Sequence, residues 1–138
     1  MPSRDAFHEA VVDALDKERW IITNDPFFIE FAQVEMYIDL GAEKLLAAER
    51  GTRKIAVEIK SFLGSSAISE FHTAVGQFMN YRLALSNLQP DRTLYLAVPV
   101  DTYNEFFVTQ FGQLAIQYYQ LKLIVYDVPK KEIVRWLE

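Results

Sequence analysis

Arg53-Lys54-Ile55-Ala56-Val57-Glu58-Ile59-Lys60-Ser61-Phe62 reads as an apolar β-strand with two charges set inside it. Side chains alternate between the faces of a strand. Ile55, Val57 and Ile59 therefore share one face, and Ala56, Glu58 and Lys60 share the other. Charged side chains seldom enter such a strand unless they are paired or functional. Upstream, Met36-Tyr37-Ile38-Asp39-Leu40 reads as a strand with Tyr37 and Asp39 on one face, and Lys44–Glu49 continues or restarts it. Arg50-Gly51-Thr52 is a turn, so the flanking strands form a hairpin. If the two strands pair, Asp39 lies near Glu58 and Lys60.

Working outward, Gly64-Ser65-Ser66 breaks the strand and caps a helix over 66–86, with Ile68, Phe71, Val75 and Phe78 as its apolar stripe. Gln77 and Tyr81, one turn apart, share a neighbouring stripe with Glu70 and Ala74. Thr93–Val98 and Leu121–Tyr126 are nearly continuous apolar runs, as buried sheet positions require. An aromatic-rich helix is expected over 101–119 and a last strand over 132–137, entered through Pro129-Lys130-Lys131. At the other end, Phe7, Val11, Ala14 and Leu15 recur at helical spacing over residues 4–17. Trp20–Thr23 is a short strand stopped by Asn24-Asp25-Pro26, and Phe27–Val34 fits either state. The order α-β-β-β-α-β-α-β-β predicts an α/β fold, a central mixed sheet flanked by helices, in one domain spanning 1–138.

Apolar residues are 51% of the chain, enough for a packed core in 138 residues. The absence of cysteine excludes disulfides, thiolate metal sites and a cysteine nucleophile. No apolar run is long enough to span a bilayer and the N-terminus lacks a signal-peptide core, so the expected location is cytoplasmic and no membrane partner is expected. A net charge of −5 argues against strong non-specific nucleic-acid binding. It leaves room for a nuclease, because bound metal ions reverse the local field of a carboxylate cluster.

Asp39 followed 19 residues later by Glu58-Ile59-Lys60 resembles the signature of PD-(D/E)xK nucleases, with Ile38 where the signature has proline. Two carboxylates, Asp39 and Glu58, with the Ile59 main-chain carbonyl and waters suit Mg²⁺ or Mn²⁺, which take hard oxygen ligands. The metal activates water and polarises a phosphate oxygen. Lys60 orients the water and stabilises charge developing on the phosphoryl group, so its role is charge and not packing. The expected catalytic residues are Asp39, Glu58 and Lys60, with Asp39, Glu58 and Ile59 as metal ligands. Gln77-x-x-x-Tyr81 resembles the helix motif of RecB-like exonucleases, and Glu9 matches a first-helix glutamate of related nucleases. The bland alternatives are a buried salt bridge for Glu58 and Lys60, an ordinary half-buried aromatic for Tyr81, and a solvated face shared with Asp13 and Asp16 for Glu9. His8 and His72 lack zinc-ligand spacing and read as structural.

The whole chain resembles the XisH family, excision controlling factors of the fdxN element, a DNA segment removed by site-specific recombination in heterocyst-forming cyanobacteria. The resemblance is carried by Phe7-His8-Glu9-Ala10-Val11, Tyr37-Ile38-Asp39-Leu40-Gly41-Ala42-Glu43, Ile55–Phe62, Ala67-Ile68-Ser69-Glu70-Phe71-His72, Gln77-Phe78-Met79-Asn80-Tyr81 and Leu121–Asp127. It implies a restriction-endonuclease-like fold and a role in controlling DNA excision beside a second small factor of the XisI type or a recombinase. Two functions follow: a Mg²⁺-dependent deoxyribonuclease or nuclease-derived DNA-processing protein, or a non-catalytic accessory protein that uses the fold to bind a recombinase or a second controlling factor. DNA is an expected partner, bound weakly by this chain alone. Ten Phe and seven Tyr exceed what a small domain hides, so a homo-oligomer or a protein partner is expected through the aromatic segment Tyr103–Tyr119.

Overall fold

A computed structural model of the chain describes residues 4–36 and 44–138. Helix α1 (Arg4–Lys17) buries Phe7, Ala10, Val11, Ala14 and Leu15, an unbroken three-and-four spacing. It ends on Arg19 in the left-handed region (φ 69°). The Trp20 N–H then reaches back to the Leu15 carbonyl (3.0 Å) and the Arg19 N–H to that of Asp16 (2.9 Å), which satisfies two terminal carbonyls. Trp20 drops into the same apolar cluster as Leu15.

Among the described residues the main sheet has six strands in the order β1 (Ile21–Asn24), β4 (Lys44–Arg50), β5 (Arg53–Ile59), β6 (Arg92–Pro99), β7 (Leu123–Asp127) and β8 (Glu132–Leu137). β1, β4 and β5 run antiparallel, β6 and β7 continue parallel to β5, and β8 closes antiparallel on β7. β6 and β7 are buried on both faces, as their continuous apolar runs require. The stretch 27–34, open in the sequence, contributes to a separate small hairpin of β2 (Ile29–Phe31) and β3 (Val34–Met36). The strand expected at 36–40 is visible only at Met36, where β3 ends; its remainder lies outside the described residues.

The two faces carry different layers. Ile55, Val57 and Ile59 join Leu46, Tyr95, Tyr126 and the α1 residues. Ala56, Leu94, Leu96 and Val98 join helix α2 (Ala67–Leu88). Ser66 caps α2, accepting from the Ser69 N–H. The buried line of α2 is Phe71, Ala74, Phe78, Tyr81 and Leu85, so the apolar stripe is rotated from the expected one. Ile68 is exposed, whereas Ala74 and Tyr81, expected beside the core, lie in it. Small Ala74 and Ala84 let this line of the helix approach the sheet closely.

The single helix expected over 101–119 is interrupted. Val100–Thr102 (α3) runs into a π-helical turn, Tyr103–Phe107, and α4 (Gln110–Tyr119) starts anew. The break is local chemistry: Thr109 is extended and its hydroxyl accepts from the Gly112 N–H at 3.0 Å, an internal N-cap. The Gln113 amide donates to the Phe107 carbonyl at 2.7 Å.

Candidate active site

The alternation read from the sequence holds. Glu58 and Lys60 leave β5 on the α2 side and are buried, at 0% and 3% exposure. The main chain of Lys60 is fixed from two directions. Its N–H donates to the Ala97 carbonyl of β6 (3.0 Å), and its carbonyl accepts from the Tyr126 hydroxyl of β7 (3.1 Å). Two residues on, Phe62 takes a left-handed conformation (φ 55°) and the chain leaves the sheet.

The Lys60 ammonium stands between two acceptors. It donates a short hydrogen bond to Gln77 Oε1, and it lies 3.9 Å from Glu58 Oε2. Gln77 is half-buried on α2, and Tyr81 follows one turn on, 4% exposed. Burial, and then the negative charge of Glu58, push the Tyr81 phenol well above its usual range, so it stays protonated. Glu58, Lys60, Gln77 and Tyr81 thus form one polar group inside an apolar layer. Burying a charge is costly without a partner, so each charge here compensates the other. At 3% exposure the Lys60 side chain is enclosed by the protein as well as bonded.

Asp39 lies outside the described residues. The Ile59 side chain packs into the α1 layer, so only its main-chain carbonyl can act as a ligand. Glu9 is exposed on α1, the helix covering the opposite face of the sheet from Glu58. Among the described residues no three His, Asp or Glu side chains gather in a metal-binding cluster. His8 bonds Asp25 at 2.7 Å, in keeping with a structural role. Tyr126 was missed as a positioning residue. The signal was a tyrosine in a buried-type strand, whose hydroxyl must find a partner.

Several basic side chains near the motif strand and α2 are engaged locally. Arg53 bonds Glu138 (3.3 Å) and lies over the Trp20 ring, Lys54 pairs with Asp91 (3.4 Å), and Arg82 donates to the Gln120 carbonyl (3.0 Å). No described helix is long and apolar enough to cross a membrane.

No curated protein matches the chain. Two solved structures are similar to it. One is the crystal structure of an XisH family protein from Nostoc punctiforme PCC 73102, 52% identical, with a TM-score of 0.90 over 97% of this chain and 100% of that one. The other is an fdxN element excision controlling factor protein from Anabaena variabilis, also 52% identical, with a TM-score of 0.89 over 97% of this chain and 99% of that one. The family model of XisH protein matches residues 1–134. The buried Glu58–Lys60 strand therefore sits in a chain that belongs to the XisH family.

Proposed function

We propose that this protein is an excision controlling factor that acts on DNA as a divalent-metal-dependent phosphodiesterase of the PD-(D/E)xK type, with a restriction-endonuclease-like fold. The observation that carries the reading is the Lys60 ammonium held between Glu58 and Gln77 at the end of a buried strand. The excision role rests on the Anabaena relative, which is named for it. The fold assignment is supported by the order of elements: a helix, an antiparallel trio that includes the motif strand, α2, and a strand parallel to the motif strand.

Glu58 and the Ile59 carbonyl are hard oxygen donors of the kind Mg²⁺ or Mn²⁺ prefers, and Asp39 is the second carboxylate of the set. Such an ion, when bound, lowers the pKa of a coordinated water and polarises a phosphate oxygen. Lys60 holds a positive charge where negative charge develops on the phosphoryl group. Gln77 aims that ammonium. Tyr81, kept protonated beside Glu58, adds a neutral donor without a second anion.

A second reading draws on burial. With Glu58 at 0% and Lys60 at 3% exposure, the pair also fits a structural ion pair in an accessory protein that binds a recombinase or an XisI-type factor. Cleavage of labelled single- and double-stranded DNA with Mn²⁺ separates the two. Under the first reading, activity is present and falls in Asp39→Ala and Gln77→Ala; activity equal to wild type in both variants would end the catalytic assignment.

A further inference from the structure

We propose that helix α4 is the contact surface between two copies of this chain, paired antiparallel about a two-fold axis near Leu114. Phe111, Leu114 and Tyr118 follow one another at helical spacing and are 50%, 57% and 83% exposed. With Ala115, Gln117 and Tyr119 they line an open groove of about 620 Å³. Phe71 packs edge-on against Phe111, and Arg82 bonds the Gln120 carbonyl, so α4 lies alongside α2 and is held from behind. An amphipathic surface helix turns its apolar face inward. Here a second apolar face points out, which marks an interaction surface.

Charge selects the occupant. No residue from Phe106 to Leu121 is charged, in a chain of net charge −5. Two copies therefore repel over much of their surface and meet with least repulsion on this stretch. A nucleic acid needs cations, and a basic protein needs carboxylates; this helix offers neither. Phe111 and Tyr118 lie almost symmetrically about Leu114, so a two-fold places Phe111 of one copy against Tyr118 of the other, with Leu114 against Leu114. Such self-complementarity is what an isologous contact requires. Glutamines supply an uncharged polar rim.

The test is sedimentation equilibrium across the micromolar range on wild type, Leu114→Glu and, as control, Val134→Glu, which alters an exposed residue of β8. Wild type and the control are expected to weigh two 16.0 kDa chains, and Leu114→Glu one, with an unchanged thermal melt. The substitution should weaken the dimer by at least ~30-fold per copy, as for a central contact residue. Because the chain has no cysteine, Leu114→Cys is a second probe: it should form a disulfide-linked dimer on mild oxidation. A monomeric wild type, a Leu114→Glu dimer, equal loss in the control, or a Leu114→Cys chain that does not cross-link would each overturn the proposal.

Discussion

Replacing Lys60 by Met keeps the aliphatic stem and removes the ammonium. Glu58, at 0% exposure, then loses the cation 3.9 Å away. Breaking a buried ion pair from one side costs about 3–5 kcal/mol. Gln77 loses its donor too, but it is half-buried and water can replace the bond, so that loss adds little. Against a typical domain stability of ~5–15 kcal/mol, the variant is expected to be folded but close to its limit. With urea slopes of ~1–3 kcal/mol/M, the midpoint should fall by roughly 1–5 M at unchanged slope. Glu58→Gln with Lys60→Met removes both charges and should recover much of the loss, with a coupling at the upper end of the ~0.5–3 kcal/mol seen for contacting residues. Urea melts of the four proteins, followed by circular dichroism, measure the cycle. A Lys60→Met midpoint equal to wild type would mean that Glu58 is compensated without Lys60.

Other outcomes follow from particular residues. Tyr81 holds its proton in the folded chain above its ordinary pKa of 10.0, so its stabilising contribution is full below pH 10.0 and is lost as pH rises beyond it; Tyr81→Phe should flatten the alkaline loss of stability, and an unchanged pH profile would exclude this source. At Gly112 a Cβ would stand 2.6 Å from the Phe107 carbonyl oxygen and 2.7 Å from that of Phe106, both backbone, so Gly112→Ala should lower the melting temperature by the equivalent of ~1–3 kcal/mol. With Arg53, Lys54 and Arg82 already engaged, DNA binding measured by fluorescence anisotropy with Ca²⁺ should be no tighter than about micromolar, with a shallow salt slope; nanomolar affinity without metal would contradict the electrostatic argument.

Much of this fold was legible because strands and helices write their burial into spacing. The alternation in Arg53–Lys60 correctly put Glu58 and Lys60 on one face, and the continuous apolar runs at 93–98 and 121–126 became the parallel interior strands β6 and β7. Less legible were features set by single contacts. The periodicity of 101–119 is helical throughout, yet the Thr109 hydroxyl and the close approach allowed by Gly112 split the segment. The choice between the Ile68–Val75 and Ala74–Tyr81 lines of α2 depended on small residues meeting the sheet, and hydrophobicity alone favours the wrong line. The polar group was half legible. Glu58 and Lys60 stand out as charges in an apolar strand, and Gln77 and Tyr81 as neighbours on one helix, but only the packing of α2 on β5 joins the two pairs. The Tyr126 bond to the Lys60 carbonyl crosses from β7 to the end of β5, and no local pattern encodes it.

Under the proposed function, Glu58 and Asp39 together bind a divalent cation beside Lys60. Isothermal calorimetry with Mn²⁺ and Mg²⁺ on wild type, Asp39→Ala and Glu58→Gln tests it most directly. A single saturable site is expected in wild type and is lost in both variants, while both keep a cooperative melt. No heat of binding in the wild type, or binding that survives both substitutions, would contradict it and leave Glu58 and Lys60 as a structural ion pair.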